Sequence, residues 1–213
     1  MANKGKYYES QFEKATIELL CEAHWQYAFG DDIHRKYTDP FIEEDLRNFL
    51  AAQYKDKNLT TSEMDSIVAN LRNTGGQNDY YALRNAFLLY RDGYDFAYSD
   101  GRYNPFRLEY IDFEHPDHNV FRCVNQFVME QGRENRRPDI LLFINGIPVC
   151  IIELKNPTKQ NATIRDAHTQ ICMRYMRDIP ALLKYCALAV ISDGAKNALG
   201  TTYTPFEFFY EWK

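Results

Sequence analysis

A stretch in the second half of the chain, PDILLFINGIPVCIIELKNP at residues 138–157, constrains the fold more than any other. The pattern predicts two apolar strands joined at Asn145-Gly146, a dipeptide typical of the tight turns between paired strands. Its charged residues are Asp139 at the start of the first strand and Glu153 and Lys155 at the end of the second. Because a hairpin brings its open ends together, the sequence predicts that two carboxylates and an ammonium meet there. Such a set is typical of a divalent-metal hydrolytic site.

The register of this hairpin decides whether the two carboxylates share a face of the sheet. A tight two-residue turn with regular pairing places Asp139 opposite Ile152, so that Glu153 points to the other face. A three-residue loop with one bulged residue instead pairs Ile144 with Pro148 and Asp139 with Glu153. The glycine in the loop can adopt the positive φ that such a bulge requires. We therefore predict the bulged turn.

The same three charges are also compatible with an ordinary buried hairpin whose ends reach solvent. The net charge of −5 argues against a free-standing protein that coats DNA. Residues 1–130 carry 14 Lys/Arg against 22 Asp/Glu, whereas residues 131–180 carry 8 against 5. The basic residues around the hairpin are Arg133, Arg136, Arg137, Lys159, Arg165, Arg174 and Arg177. A positive patch on an acidic body favours a site that receives a phosphate backbone, and a solvated charged face is the alternative.

Apolar periodicity predicts the rest of the fold. It indicates helices at 10–28, 40–53, 61–73 and 79–92. The first helix is expected to open with a capping box formed by Ser10 and Glu13. Further along, the period indicates strands at 107–113 and 120–128, the hairpin, a helix at 162–177 and a strand at 187–192. The expected class is α/β, with antiparallel strands carrying the acids and a last strand added in parallel through the crossover helix.

Other sequence features exclude several classes of protein. The chain lacks an apolar run of about eighteen residues and an apolar signal core, which predicts a cytoplasmic protein without membrane contact. The five cysteines lack C-x-x-C spacing and are expected to be reduced and packed. The five histidines are expected to form no ligand cluster, and a metal role for His115 and His118, beside the turn at Pro116-Asp117, is the minor alternative. No G-x-x-x-x-G-K-[ST] motif occurs, so this chain has no phosphate-binding loop for ATP.

Three stretches carry a family resemblance: IDFEHPDHNVFRCVNQF at 111–127, the hairpin, and the segment from YMRDIP to VISDG at 175–194. Together they resemble the N-terminal nuclease region of the restriction (motor) subunit of type I restriction–modification enzymes, within the PD-(D/E)xK nucleases. The resemblance implies a restriction-endonuclease-like core, a mixed sheet flanked by helices, with a helical layer or insertion. Residues 1–30 would supply the first core helix, 31–104 the helical layer and 105–213 the nuclease core, in one domain of a longer subunit.

The resemblance also implies roles for individual residues. Asp139 and Glu153 would bind the metal, with the backbone carbonyl of Leu154 as a further ligand and Glu13 as a possible additional acid. Lys155 would stabilise charge that develops at phosphorus, because two neighbouring carboxylates keep it protonated. The implied metal is Mg2+, with Mn2+ as an alternative.

Nucleases of this type tend to carry a Gln and a Tyr in the spacing Q-x-x-x-Y after the lysine. Here Gln170 and Tyr175 are five residues apart, about 140° around a regular helix rather than neighbours. This spacing leaves open whether Gln170 and Tyr175 both face the site, and a purely structural helix is the alternative. Arg174 shares a face with Gln170 and is a candidate phosphate contact. The remaining candidate DNA contacts are Arg136, Arg137 and Lys159.

The implied substrate is double-stranded DNA, cut without sequence choice by this chain. In the family, an ATP-driven translocase continues the subunit, and modification and specificity subunits complete the complex. None of these is encoded in this sequence, so ATP would act only through the absent motor region. Two alternatives are a stand-alone repair or recombination nuclease of the same superfamily and an interaction domain that has lost its chemistry.

Overall fold

The computed structural model describes residues 3–155 and 163–212, with side chains over 10–155 and 163–211. Its helices are α1 (Asn3–Glu22), α2 (Glu43–Gln53), α3 (Thr61–Arg72), α4 (Asp79–Asp92), α5 (Ile164–Thr169), α6 (Met176–Asp178) and α7 (Pro180–Leu183). A π-helical turn, Gln170–Tyr175, joins α5 to α6. The strands are β1 (Gln26–Phe29), β2 (Tyr94–Phe96), β3 (Phe106–Leu108), β4 (Phe121–Asn125), β5 (Met129–Gln131), β6 (Glu134–Arg136), β7 (Ile140–Ile144), β8 (Ile147–Leu154), β9 (Leu188–Ser192), β10 (Asn197–Gly200) and β11 (Tyr210–Trp212).

A mixed sheet in the order β1-β4-β7-β8-β9-β10-β11 forms the centre of the described structure. The central strands β4, β7 and β8 are antiparallel, and β9 lies parallel to β8. The segment α5–α7 links these two parallel strands, as expected for a crossover connection. The predicted α/β class and the parallel addition of the strand at 187–192 are therefore confirmed.

The hairpin β7–β8 is buried on both faces, which explains its nearly continuous apolar sequence. Leu141, Phe143 and Ile151 pack in a core with α5–α7, whereas Ile140 and Ile152 pack in a second core towards α1. Each fully buried aliphatic side chain of this kind contributes about 1.5–3 kcal/mol through removal from water. Burial of both faces fixes the register, because a slip by one residue would exchange the side chains that face the two cores.

The predicted three-residue loop is wrong, because the hairpin closes with a tight two-residue turn that pairs Ile144 with Ile147. Asn145 and Gly146 have φ of 49° and 74°, the signs that a type I′ turn requires. Asn145 is fully buried. Its side chain accepts a hydrogen bond from the backbone N–H of Val120 at 2.8 Å and donates to the carbonyl of Tyr110 at 2.9 Å. These distant partners fix the turn.

The bulge lies instead inside the strand, where Leu142 pairs with Cys150 and Phe143 with Pro148. Val149 is thus the extra residue. Pro148 has no N–H to donate, so the hydrogen-bond ladder is interrupted at this point in any case. From there Ile140 pairs with Ile152, and continuation of that register places Asp139 opposite Glu153. This register agrees with the predicted pairing of Asp139 with Glu153, although the extra residue is Val149 within β8 rather than a residue of the turn.

The first helix begins and ends earlier than the predicted 10–28. It covers Asn3–Glu22, so Ser10 and Glu13 lie within it and form no capping box. The chain then turns at His24 with φ 69° and enters β1, which pairs in parallel with β4.

The helix predicted at 40–53 begins only at Glu43. The helix at 61–73 is confirmed with a capping box between Thr60 and Glu63, and that at 79–92 ends before Gly93 as predicted.

The strand predicted at 107–113 is largely wrong. Only Phe106–Leu108 is extended, and it pairs with β2 in a separate two-stranded ribbon rather than with β4. Together with α2–α4 it encloses a third core, which contains Leu46, Ile67 and Tyr110 and reaches Ile147 at the start of β8. The division into 1–30, 31–104 and 105–213 stays a prediction.

None of the described helices combines the length and the apolar character needed to cross a membrane. The five cysteines are free thiols, as expected. Cys123, Cys150 and Cys186 are buried, but Cys21 is exposed and is therefore not packed.

Candidate active site

The open end of the hairpin brings together the three charged groups that the sequence predicts. Lys155 Nζ lies 2.8 Å from Glu153 Oε1. Asp139 Oδ2 accepts a hydrogen bond from the backbone N–H of Leu154 at 2.8 Å, which fixes its carboxylate beside the end of β8. The side chain of Glu153 is 1% exposed and that of Lys155 is 13% exposed. Two carboxylates and a lysine therefore converge in a largely dehydrated position.

The electrostatics of this position are dominated by burial. Burial raises the pKa of Glu153 to about 8, the Asp139 carboxylate adds to the rise, and Lys155 opposes it. A carboxyl group with so high a pKa is short of compensating positive charge. Perturbation by desolvation together with a like charge is typical of functional sites.

Glu153, Lys155, Gln170 and Tyr175 form a closed ring of polar contacts. Lys155 Nζ donates to Gln170 Oε1 at 2.8 Å as well as to Glu153. Gln170 Nε2 donates to the Tyr175 hydroxyl at 2.7 Å. The hydroxyl in turn lies 3.4 Å from Glu153 Oε2. Burial, followed by the Glu153 charge, raises the pKa of Tyr175, so that it remains a neutral donor. This ring holds the lysine and the glutamate in a fixed relation.

The π-helical turn answers the question that the five-residue spacing left open. Gln170 and Tyr175 span one turn of this wider helix, in which residues five apart are neighbours. Both side chains therefore face Glu153 and Lys155, which a regular α-helix would not allow. Single π-turns of this kind recur at functional sites.

Deletion of Met173 is expected to leave the fold and the polar ring nearly intact. Met173 is 66% exposed within the π-turn, and its loss would convert the turn into regular α-helix with Gln170 and Tyr175 four apart, still neighbours. We expect a loss of less than about 1–2 kcal/mol in the free energy of unfolding, as for surface changes that break no core contact. Urea denaturation of the purified chain measures this.

The matched control is deletion of Arg84, an exposed residue of the regular helix α4. No π-turn is present there to absorb the lost residue, so the apolar face of α4 must rotate out of register. A Met173 deletion that destabilises as strongly as the Arg84 deletion would contradict the assignment of an inserted residue.

Glu13 lies on the other face of the sheet from Asp139 and Glu153. Its carboxylate accepts hydrogen bonds from Asn125 Nδ2 at 2.6 Å and from Gln126 Nε2 at 3.2 Å. Gln126 has φ 56°, a left-handed conformation uncommon for residues other than glycine. Asn125 and Gln126 were not predicted from the sequence as partners of Glu13. A metal role for Glu13 stays a prediction.

The arginines predicted to contact DNA occupy different environments. Arg136 is engaged in ion pairs with Asp178, at 2.7 Å, and with Glu134. Arg137 and Arg174 are exposed. Arg174 belongs to the π-turn, and the carbonyl of Arg137 lies 3.5 Å from the Tyr175 hydroxyl. Lys159 lies outside the described residues.

A cleft of about 940 Å³ opens elsewhere, between α2, α3 and α7. Its lining includes Arg72 and Arg122 but none of the hairpin charges. Arg72 pairs with Asp39 and Glu43, and Arg122 pairs with Asp45. Because these charged groups satisfy one another, size alone does not make the cleft a candidate site.

The prediction that the histidines form no ligand cluster is wrong. His115 and His118 lie with Asp112, and the potential ligand atoms of the three residues are all within 4.8 Å of one another. The sequence signal was the spacing of three between the histidines, because the Pro116–His118 turn is a 3-10 helix with about three residues per turn.

A mixed sheet flanked by helices, with an acid ahead of one central strand and E-x-K at the end of the next, is a restriction-endonuclease-like core. Comparison with known proteins agrees with this class. The family model described as "Type I restriction enzyme R protein N terminus" matches residues 6–208. The chain therefore belongs to the family of type I restriction enzyme R protein N termini.

The chain is also similar to curated endonuclease subunits of type I restriction enzymes. The type I restriction enzyme HindI endonuclease subunit of Haemophilus influenzae is 29% identical over 96% of this chain and 20% of its own length. The putative type I restriction enzyme MjaIXP endonuclease subunit of Methanocaldococcus jannaschii is 30% identical over 94% of this chain and 20% of its own length. The chain thus spans about a fifth of the length of these relatives.

Proposed function

We propose that this chain is the endonuclease domain of a type I restriction enzyme R subunit, and that it hydrolyses phosphodiester bonds of double-stranded DNA with Mg2+ and without sequence choice of its own. The observation that supports this best is the convergence of Asp139, Glu153 and Lys155 at the open end of the hairpin. Membership of the family supports the proposal independently.

Asp139, Glu153 and the backbone carbonyl of Leu154 are the groups that would hold the cation. They are oxygen donors, as Mg2+ prefers, and two carboxylates leave several coordination positions to water. The raised pKa of Glu153 fits the same assignment, because a cation would supply the positive charge that this buried carboxyl lacks. When bound, the cation supplies neutralisation of the phosphodiester and a water of lowered pKa. Mn2+ would serve in its place.

Lys155 would stabilise the charge that develops on the phosphate oxygens. Its ammonium is held by Glu153 and Gln170 at 2.8 Å each, so it is oriented before the substrate arrives. Preorganised positive charge in a dehydrated site stabilises a transition state more than the same charge in water. Gln170 and Tyr175 would act through this orientation.

The protein surface fits a nuclease to which DNA is delivered. Arg137 and Arg174 are exposed and would contact phosphates, together with Lys159. The acidic balance of residues 1–130 would weaken capture of free DNA, so DNA would be fed by an ATP-driven translocase outside this sequence. Modification and specificity subunits would supply the recognition of a DNA sequence. A cytoplasmic location stays a prediction.

Replacement of Asp139 tests the proposal in the assembled enzyme. Asp139→Ala is expected to abolish DNA cleavage, because one of the two metal-binding carboxylates is lost, while DNA-dependent ATP hydrolysis is retained. Asp95→Ala is the matched control, because Asp95 is an exposed acid on the β2–β3 ribbon. Cleavage by Asp139→Ala at the wild-type rate would disprove the assignment.

Two further outcomes separate the alternatives. Efficient Mg2+-dependent cutting by the isolated chain would favour a stand-alone nuclease over a domain that depends on translocation. Absence of Mg2+ and Mn2+ binding in titration calorimetry would favour an interaction domain without chemistry.

A further inference from the structure

A second set of metal-ligating side chains lies at the turn end of the hairpin, away from Asp139 and Glu153. His118 Nδ1 is 3.0 Å from Asp112 Oδ2, and His115 Nδ1 is 3.6 Å from the same oxygen. We propose that Asp112, His115 and His118 bind a divalent transition metal ion of the zinc type.

The spacing of these atoms fits such an ion. Zinc bonds to imidazole nitrogen and carboxylate oxygen are about 2.0–2.2 Å long, so tetrahedral ligands lie roughly 3.3–3.6 Å apart. The 3.6 Å separation between His115 and Asp112 lies in that range. The 3.0 Å separation between His118 and Asp112 is that of a hydrogen bond, which a bound ion would replace. The two nearly parallel imidazole rings would rotate so that both Nδ1 lone pairs point at the ion.

Asp112 is held rigidly in the orientation that a ligand needs. It is 4% exposed. Its Oδ1 accepts hydrogen bonds from the backbone N–H groups of Glu114 and His115, at 3.0 and 2.8 Å. Gln53 Nε2 donates to Oδ2 at 3.1 Å. Partners of this kind orient metal ligands and are part of most metal sites.

The two imidazoles lie side by side and open to solvent. Their ring centroids are 5.0 Å apart with an angle of 18° between the planes, and the side chains are 61% and 51% exposed. Water can therefore complete the coordination. Imidazole with carboxylate suits zinc, cobalt and nickel, whereas Mg2+ and Ca2+ prefer sites made of oxygen alone. This cluster and the hairpin acids would thus select different metals.

The cluster is too far from the hairpin acids to be the second ion of one catalytic centre. Asn119 Oδ1 accepts from the backbone N–H of Asp112 and from Asn145 Nδ2, which places the cluster beside the Asn145 turn. Strand β7 separates that turn from Asp139: Asn145 is six residues along the extended chain, about 20 Å away at 3.3 Å per residue. The ions of two-metal centres lie about 3.5–4 Å apart. A bound ion here would therefore stabilise the loop at 112–119 rather than take part in hydrolysis.

Titration of the complete chain with Zn2+ by calorimetry tests the proposal, with Co2+ absorption as a second probe. We expect one tight equivalent of Zn2+. His115→Ala and His118→Ala are each expected to weaken binding by at least about tenfold, since each removes a ligand. His34→Ala, an exposed histidine outside the cluster, is the matched control and should bind as the wild type does. Asp139→Asn should also retain the site.

Several results would overturn the assignment. Zn2+ binding that survives in His118→Ala but is lost in Asp139→Asn would place the ion at the hairpin acids. A cobalt–thiolate charge-transfer band would place it on a cysteine. Equal binding by the wild type and a His115→Ala, His118→Ala double variant would show that the cluster binds no metal. Circular dichroism of each variant confirms that the exposed substitutions leave the fold unchanged.

Discussion

Replacement of Lys155 by methionine is expected to reduce DNA cleavage by the assembled enzyme by about a hundred- to a thousandfold, the usual effect of losing one preorganised charge-stabilising donor. The ammonium lies 2.8 Å from Glu153 and from Gln170 and is the cation that the site itself contributes. Methionine keeps roughly the length and the apolar stem of the side chain, and removes the charge together with the hydrogen bonds to Glu153 and Gln170. The cleavage rate under single-turnover conditions is the appropriate measurement.

The pH and the Mg2+ concentration of this experiment matter. Lys155 counteracts the rise in the pKa of Glu153, so its removal raises that pKa further and weakens metal binding at neutral pH. At pH 9 with saturating Mg2+ the metal site should be filled in both proteins, and the remaining difference reports on the lysine alone. Lys57→Met, at a surface lysine paired with Asp56, is the matched control. If Lys155→Met cleaved at the wild-type rate under these conditions, the lysine would have no part in the chemistry.

The requirement that Asp139 and Glu153 share a face was predictable from the sequence, but the position of the extra residue was not. Alternation along strands demands one additional residue between them, and the sequence offers a turn glycine and a proline as candidate positions. The turn is tight because the Asn145 amide is satisfied by Val120 and Tyr110, which are distant in sequence. Contacts between residues distant in sequence thus decide between the tight turn and the bulged turn, which are both locally acceptable. The local sequence pattern carries no information about such contacts.

The same limit explains the error at β1 and the question that the sequence left open in the crossover helix. Residues 26–29 continue the apolar periodicity of α1, and only pairing with β4 makes them a strand. Tertiary pairing overrides a weak local preference in such a case. In the crossover helix, the five-residue spacing left open whether Gln170 and Tyr175 share a face, because α-helical geometry was assumed. The departure from Q-x-x-x-Y was itself the signal of the π-turn.

The affinity of the site for Mg2+ is expected to fall as the pH drops below 8, by up to about tenfold per unit, because the proton and the cation compete for Glu153. The pKa of this buried carboxyl is raised to about 8, so at pH 6 it is protonated in nearly every molecule. Between pH 8 and pH 6 the dissociation constant should therefore rise by about fiftyfold, because half of the molecules already carry the proton at pH 8. Calorimetric titration at several pH values measures this directly, and Glu153→Gln should remove both the binding and its pH dependence.

The pH dependence of the free energy of unfolding of the metal-free protein gives an independent measure of the protonation of Glu153. In the unfolded chain Glu153 has its ordinary pKa of 4.5, whereas in the folded protein the pKa is about 8. Between these values the folded state binds the extra proton, so the free energy of unfolding falls as pH rises from about 4.5 to 8, by a few kcal/mol in all at about 1.4 kcal/mol per unit. Glu153→Gln should flatten this slope. Glu63→Gln should leave this slope unchanged. The Arg102 guanidinium lowers the pKa of Glu63 to about 2, so the contribution of the Glu63 charge to stability is lost only in acid. A wild-type stability that does not fall across this range would show that Glu153 is not the buried, proton-binding group on which metal competition depends.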